Sequence, residues 1–199
     1  MISSLFSYLI RALIPMRRTE AAVSALTIDD LERLRRSDGL PYRDPSVRAL
    51  IWELKYNKNS RALALAGEFI AEELLGIAAE EIGAPLLIPV PMHAKRRRER
   101  GHNQTEALCE AALPHLAGFE YAPHALARVR ETPRQQGLPR HKRLTNVEHS
   151  MEVVDQEKVR GRICIVVDDV STTGATLAEA ARALRKAKAR RVYTAALAR

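Results

Sequence analysis

The chain has 199 residues, 46% of them hydrophobic and 28% charged, which is the composition of one ordinary globular unit and excludes wholesale disorder. Its 32 lysines and arginines against 24 acids leave a net charge of +8, a balance that favours polyanions: nucleic acid, phosphorylated small molecules or an acidic membrane surface. Two cysteines, Cys109 and Cys164, are too few for a disulfide scaffold or a four-cysteine zinc module and read as buried, reduced thiols of a cytoplasmic protein.

The N-terminal stretch Leu5-Phe6-Ser7-Tyr8-Leu9-Ile10-Arg11-Ala12-Leu13-Ile14 is apolar but broken by Arg11, and its charges follow it rather than precede it. It reads as a short amphipathic helix docking on its own core or on a partner, not as a signal peptide or membrane span. Thr27-Ile28-Asp29-Asp30 is an N-cap with an acidic first turn, and Ser37-Asp38-Gly39 before Pro41 closes that helix. Residues 1–40 are therefore expected to be a small helical appendage, and residues 41–199 the main domain. Asp44-Pro45 opens a helix with Val47, Leu50, Ile51 and Leu54 on one face, broken at Asn57-Lys58-Asn59. Ser60 is expected to cap the next helix, whose stripe is Leu63, Ala66, Phe69, Ile70 and Leu74. Leu86-Leu87-Ile88-Pro89-Val90 is a continuous apolar run, as in a strand covered on both faces. A basic loop from Lys95 to Gly101 and a helix from about Asn103 to Leu113 follow. Residues 130–146 are polar and hold two prolines and a glycine, so they read as a mobile loop and a short helix. Arg162 to Val167 is a strand, Leu177, Ala180, Ala181 and Leu184 mark a helix, and Val192 to Leu197 is a last strand. The expected fold is α/β, a mostly parallel sheet flanked by helices.

The chemistry concentrates at residues 163–176. A buried strand runs into Asp168-Asp169, then Val170-Ser171-Thr172-Thr173-Gly174-Ala175-Thr176, then a helix. Ligands of open parallel sheets bind beyond the carboxyl ends of the strands. A helix N-terminus offers unpaired N–H groups to an anion, and Gly174 permits close backbone approach. The carboxylates repel phosphate; they suit hydroxyl donors or a hydrated Mg²⁺. Phosphate on the loop and a diol on the acids together describe a ribose 5-phosphate. An Asp-Asp pair beside a threonine cap also occurs in ordinary folds, so the inference rests on the whole string. Neither a Walker loop nor a G-x-G-x-x-G string is present. Two basic runs, Lys95-Arg96-Arg97-Arg98 and Arg185 to Arg191, are solvated faces by default. The first borders the supposed cleft and is also placed to steer a polyphosphate or single-stranded DNA.

The string Val166 to Thr176 resembles the phosphoribosyl pyrophosphate (PRPP) loop of type I phosphoribosyltransferases. More narrowly, the chain resembles the ComF/GntX family of competence-type, phosphoribosyltransferase-like proteins. The residues that carry this are Lys55-Tyr56, Ile88-Pro89-Val90-Pro91-Met92-His93, Arg98-x-Arg100-Gly101-His102-Asn103-Gln104, Gln135-x3-Pro139-Arg140-x2-Arg143-x2-Asn146-Val147 and the terminal Ala196-Leu197-Ala198-Arg199. Members usually begin with a cysteine-rich zinc module. No cysteine precedes Cys109 here, so no zinc is expected.

The resemblance implies a type I phosphoribosyltransferase-like fold that binds PRPP or another ribose-5-phosphate ligand and, given an acceptor, carries out Mg²⁺-dependent phosphoribosyl transfer. By analogy Ser171, Thr172, Thr173, Gly174, Ala175 and Thr176 hold the 5-phosphate. Asp168 and Asp169 meet the ribose hydroxyls as the catalytic pair and hold Mg²⁺, directly or through water. Val90, Pro91, Met92, Arg100, Asn103 and Gln104 lie on the pyrophosphate side. Arg134, Gln135, Arg140 and Arg143 lie on a flexible loop that closes over the site. Membership also implies a link to DNA uptake and natural transformation in the cytoplasm. The alternative is a non-catalytic competence factor that binds single-stranded DNA and competence or recombination proteins and keeps a sensing or vestigial PRPP pocket.

Overall fold

The computed structural model describes residues 18–131 and 147–199. The N-terminal apolar stretch and the loop residues Arg134, Gln135, Arg140 and Arg143 lie outside the described residues.

A helix over residues 18–25 (α1) leads into α2 (Ile28–Leu34), where Thr27 and Asp30 form a reciprocal capping box. Next comes α3 (Pro45–Trp52), capped by Asp44 with proline in its first turn. It passes without a break into a π-helical turn, Glu53–Asn57, which Lys58 ends in the left-handed conformation. The long α4 (Ser60–Ala78) is capped by Asn59. Asn59, not Ser60, accepts the first free amides, from Arg61 and Ala62. The chain then forms β1 (Leu86–Pro89), α5 (Ala94–Arg100) and α6 (Gln104–Ala112). The stretch expected as a basic loop is thus helical. The His93 ring caps its start and Gly101, at φ 76°, ends it. After a 3₁₀ turn, Leu113–His115, come the short β2 (Glu120–Tyr121), β3 (Leu126–Arg128) and β4 (Met151–Val153), which carry no clear sequence period. The last elements are α7 (Gln156–Val159), β5 (Ile163–Val170), α8 (Ala175–Lys186) and β6 (Arg191–Ala198).

The main sheet has the order β2-β1-β5-β6, and every pair in it is parallel. The α/β class read from the sequence is the one observed, and β3 and β4 form a separate antiparallel pair. The period of two along β5 divides the core. Ile165 and Val167 face Leu50, Leu54, Phe69, Ile70 and Leu108 of the helices on one side. Cys164 and Val166 face Leu177, Ala180 and Leu184 of α8, with Met151 of β4, on the other. Val23, Leu26, Leu31 and Leu40 share the first of these clusters. Leu40 also bonds along the end of β6, its N–H to the Leu197 carbonyl at 3.0 Å and its own carbonyl accepting from Arg199 N–H at 2.8 Å. Glu179 on α8 fastens β4 beside the sheet, accepting from the Met151 amide at 3.1 Å and from Arg182 at 2.7 Å.

The helices α4 and α6 meet at Gly67, where an added Cβ would stand 2.5 Å from the backbone carbon of Ala111. Backbone cannot yield as a flexible side chain does. Gly67→Ala should therefore cost about 3 kcal/mol, lowering the melting temperature by roughly 6–12 °C in a thermal melt. An unchanged midpoint would mean that the helices separate freely.

Candidate functional site

The sheet's carboxyl ends open on a cleft of about 230 Å³, lined by Lys55, Val90, Pro91, Met92, His93, Arg96, Arg100, Asn103, Gln104, Thr105, Arg128, Asp168, Val170 and Thr176. Its floor comes from the end of β5 and the turn that follows β1, the two strands being neighbours in register from Leu86↔Cys164 to Pro89↔Val167. That pairing brings the Val90-Pro91-Met92 turn beside the Asp168-Asp169 pair, two segments almost eighty positions apart in the chain.

The sequence places both acids after the strand, whereas β5 runs on to Val170 and contains them. Asp168 is 8% exposed and Asp169 5%. Asp168 Oδ1 accepts from the Asp169 amide at 2.9 Å, and Asp169 Oδ1 accepts from the Val170 amide at 2.8 Å. Burial, and then the neighbouring Asp169 carboxylate, push the Asp168 carboxyl well above the ordinary carboxylate range. Asp169 Oδ2 is buried without an aligned hydrogen-bond donor, but the Lys55 ammonium stands 3.0 Å away and pairs with it by charge. Burial works against that ammonium. The Asp169 carboxylate outweighs it and holds the Lys55 pKa above its usual value.

The π-helical turn aims Lys55 into the cleft. Such turns insert one extra residue into a helix and recur at functional sites. Glu53, 1% exposed, anchors this one by accepting from Thr19 Oγ1 at 2.6 Å, Asn57 Nδ2 at 2.9 Å and Asn59 Nδ2 at 3.2 Å. Sequence reasoning left Lys55 without a role, although a signal was there: four residues after Ile51 and eight after Val47, it continues the buried stripe as a lone cation. Arg128, on the short β3, was missed outright. Its Nε donates to the Pro91 carbonyl at 3.2 Å, and burial lowers its pKa, though a guanidinium keeps its charge there.

Asn103 does line the cleft, but its 3% exposed side chain is engaged by the protein itself. Nδ2 donates to the Val90 carbonyl at 3.1 Å and to Glu106 at 3.2 Å, and Oδ1 caps α6 by accepting from the Thr105 amide at 3.1 Å. It steadies the turn. Gln104 accepts from Arg100 at 3.3 Å. Within the loop, Gly174 has φ 75° and starts α8, and Thr176 reaches the cleft. Thr172 is exposed, Thr173 and Gly174 are half-buried, and Ala175 is buried, its amide bonded to Thr173 Oγ1 at 3.4 Å. Ser171 departs from the expectation: it is buried, and its amide is spent on the Ala198 carbonyl at 2.9 Å.

The basic run on α5 is partly answered by acids. Lys95 pairs with Glu131 at 3.0 Å, and Arg97 makes two bonds of 2.7 Å to Glu106. Among the described residues no group of three acids, histidines or cysteines is arranged to hold a metal. Asp168, which lines the cleft, suits Mg²⁺ that takes its remaining ligands from water and phosphate oxygens, whereas the buried Asp169 Oδ2 faces the Lys55 ammonium.

Residues 115–199 match the family model described as phosphoribosyl transferase domain. The chain is 32% identical over 143 residues to the DNA utilization protein YhgH of Salmonella typhi, covering 70% of this chain and 61% of that one. It is 32% identical over 114 residues to competence protein F of Haemophilus influenzae, covering 57% of this chain and 49% of that one. The chain is similar to ComF-type, phosphoribosyltransferase-like proteins. The chain spans less than two thirds of the length of those relatives. Among solved structures it is similar to a hypoxanthine phosphoribosyltransferase from Trypanosoma cruzi, with 12% identity, a TM-score of 0.43 and coverage of 67% of this chain and 65% of that one. Among the described residues no helix is long and apolar enough to cross a membrane.

Proposed function

We propose that the cleft binds PRPP with Mg²⁺. The observation that carries this reading is its division by charge. Asp168, buried beside Asp169 and its Lys55 partner, lines a cleft whose other walls hold Arg96, Arg100 and Arg128. A ligand with a diol at one end and phosphates at the other satisfies both halves. The diol hydroxyls donate to Asp168 and Asp169, the 5-phosphate meets Thr176 and the loop amides from Thr172 to Gly174, and the diphosphate lies along the Val90–Met92 turn among the cations. Bound Mg²⁺ would supply charge neutralisation on the diphosphate oxygens. Transfer then consists of cleaving the anomeric C–O bond, with its electron pair leaving on diphosphate while an acceptor bonds to the carbon. What the protein's own residues supply is position and charge: Lys55, Arg96, Arg100 and Arg128 stabilise the departing anion, and the acids orient the ribose.

The names of the relatives favour a second reading. Two relatives carry the names DNA utilization protein and competence protein. In this reading the chain is a non-catalytic, cytoplasmic factor in DNA uptake that holds single-stranded DNA and recombination partners, with the cleft as a sensing or vestigial pocket. Calorimetric titration of PRPP with Mg²⁺ tests the first reading and, within the second, tells a sensing pocket from a vestigial one. Wild type is expected to bind, and Asp169→Asn to bind at least tenfold more weakly, since it loses a charge-assisted acceptor of a hydroxyl. If wild type does not bind PRPP, the pocket is vestigial and the second reading stands.

A further inference from the structure

The sole tryptophan of the chain is not in its core. Trp52 is 42% exposed and Tyr56, one helical turn later, is 51% exposed. Only nine of the 199 residues are aromatic, so solvent exposure of these two is costly use of a scarce side chain. Their ring centroids lie 4.4 Å apart with planes inclined at 47°, so each already restrains the other. Arg100, which lines the cleft, places its guanidinium carbon 5.5 Å from the Tyr56 ring centre. It closes the basic helix α5, on which Lys95, Arg97 and Arg98 are exposed. An aromatic step therefore adjoins a cationic ridge at the rim of the cleft.

We propose that Trp52, Tyr56 and Arg100 form a stacking step for the bases of a single-stranded nucleic acid, whose phosphates follow α5. Every base offers a π-face to an aromatic ring or guanidinium plane, and a strand supplies one phosphate per base to neighbouring cations. The charge beside the rings selects this occupant over an apolar protein surface, which would desolvate the arginines without supplying an anion. The openness of the rings selects it over a free acceptor base, which is held by enclosure on several sides. The pair of pre-ordered rings lowers the entropy lost on binding. The step deepens the single-stranded DNA reading above; it shares Arg100 with the cleft but does not require that the cleft hold PRPP.

Trp52 is its own reporter, because its fluorescence is the only tryptophan signal in the molecule. The full chain is titrated with an oligothymidylate of about 15 nucleotides, chosen to cover one single-strand site, and with an abasic oligomer of equal length. The oligothymidylate is expected to quench Trp52 and to bind about tenfold more tightly than the abasic strand. Tyr56→Leu should weaken oligothymidylate binding by a similar factor with the salt slope unchanged. Lys95→Gln and Arg98→Gln should each lower that slope by about 0.7. Equal affinity for the abasic strand, unchanged Trp52 emission on strand binding, or quenching by free nucleotides but not by the oligomer overturns the proposal. The abasic comparison uses wild-type protein, so a poorly folding variant does not shelter it. PRPP titrations of the same samples show whether the cleft reading fails with it or independently.

Discussion

Asp168→Asn is expected to raise the melting temperature of this protein and to abolish the proposed Mg²⁺-dependent PRPP binding. Both effects follow from a carboxyl that is 8% exposed beside a second one that is 5% exposed. Asparagine keeps the shape and the oxygen that accepts from the Asp169 amide, and removes the charge that burial and Asp169 disfavour. The sign of the pH dependence is fixed by the direction of the shift. An acid whose pKa is raised by folding holds its proton more tightly in the native state. Its contribution to stability therefore falls as pH rises from the unfolded carboxylate value near 3.8 through the higher folded one. Thermal melts of wild type should show that decline, and melts of Asp168→Asn a flatter profile. At pH 8 the variant should gain about 1–2 kcal/mol, roughly 2–8 °C for a chain of this size. PRPP affinity should run the other way in wild type, increasing with pH as Asp168 ionises and becomes a stronger acceptor. A variant that melts at or below wild type at pH 8 shows instead that the Asp168 charge is compensated in the fold. The expected trade is that of a binding site held at some cost to stability.

The sequence was informative where period and chemistry coincide. The β5 run, the acids and the Thr-Thr-Gly-x-Thr loop lie within fourteen consecutive positions, and a strand feeding a helix has one place to put a ligand. The parallel order of β1, β5 and β6 followed from strands separated by helices. Local pattern was silent on β2, β3 and β4, strands of two or three residues that exist because a neighbour pairs with them. Lys95 to Arg100 looked like a loop because a run of cations has no apolar stripe. The His93 cap, the Gly101 stop and Glu106 and Glu131 opposite the charges make it a helix. Asn103 looked like a ligand contact because a polar residue beside a basic segment resembles one. Only the distance to the Val90 carbonyl shows that it holds the turn. Lys55 and Arg128 reach the cleft from segments remote in sequence, one through a π-helical turn and one through a strand of three residues. No spacing rule connects them to the acids.

Lys55 is the residue on which the second large effect is expected. Its ammonium is the only charge-compensating contact recorded for the buried Asp169 Oδ2 among the described residues. Lys55→Met removes it and strands a buried carboxylate, which costs more than the ion pair itself is worth. With the Lys55 side chain 21% exposed, water softens the loss, and about 2–3 kcal/mol is expected. The same substitution takes one of four cations from the cleft, so affinity for magnesium diphosphate should fall about a hundredfold, in keeping with the loss of a charge-assisted bond in a sheltered site. Asp169→Asn combined with Lys55→Met separates the two roles. The neutral pair no longer strands a charge, so the double variant should recover most of the stability lost by Lys55→Met, giving a coupling of about 1–3 kcal/mol in the cycle. Diphosphate affinity should not recover, because the missing ammonium is still missing. Additive stabilities would show that the 3.0 Å pair contributes nothing to the fold, and recovered diphosphate binding would show that Lys55 serves Asp169 alone. The turn that presents Lys55 sets a further condition. Glu53, Asn57 and Asn59 fix its backbone, so Lys55→Arg retains the charge but sends a longer, planar group from the same point. It should keep the stability of wild type within about 1 kcal/mol and lose part of the diphosphate affinity, because position as well as charge is what the π-helical turn supplies.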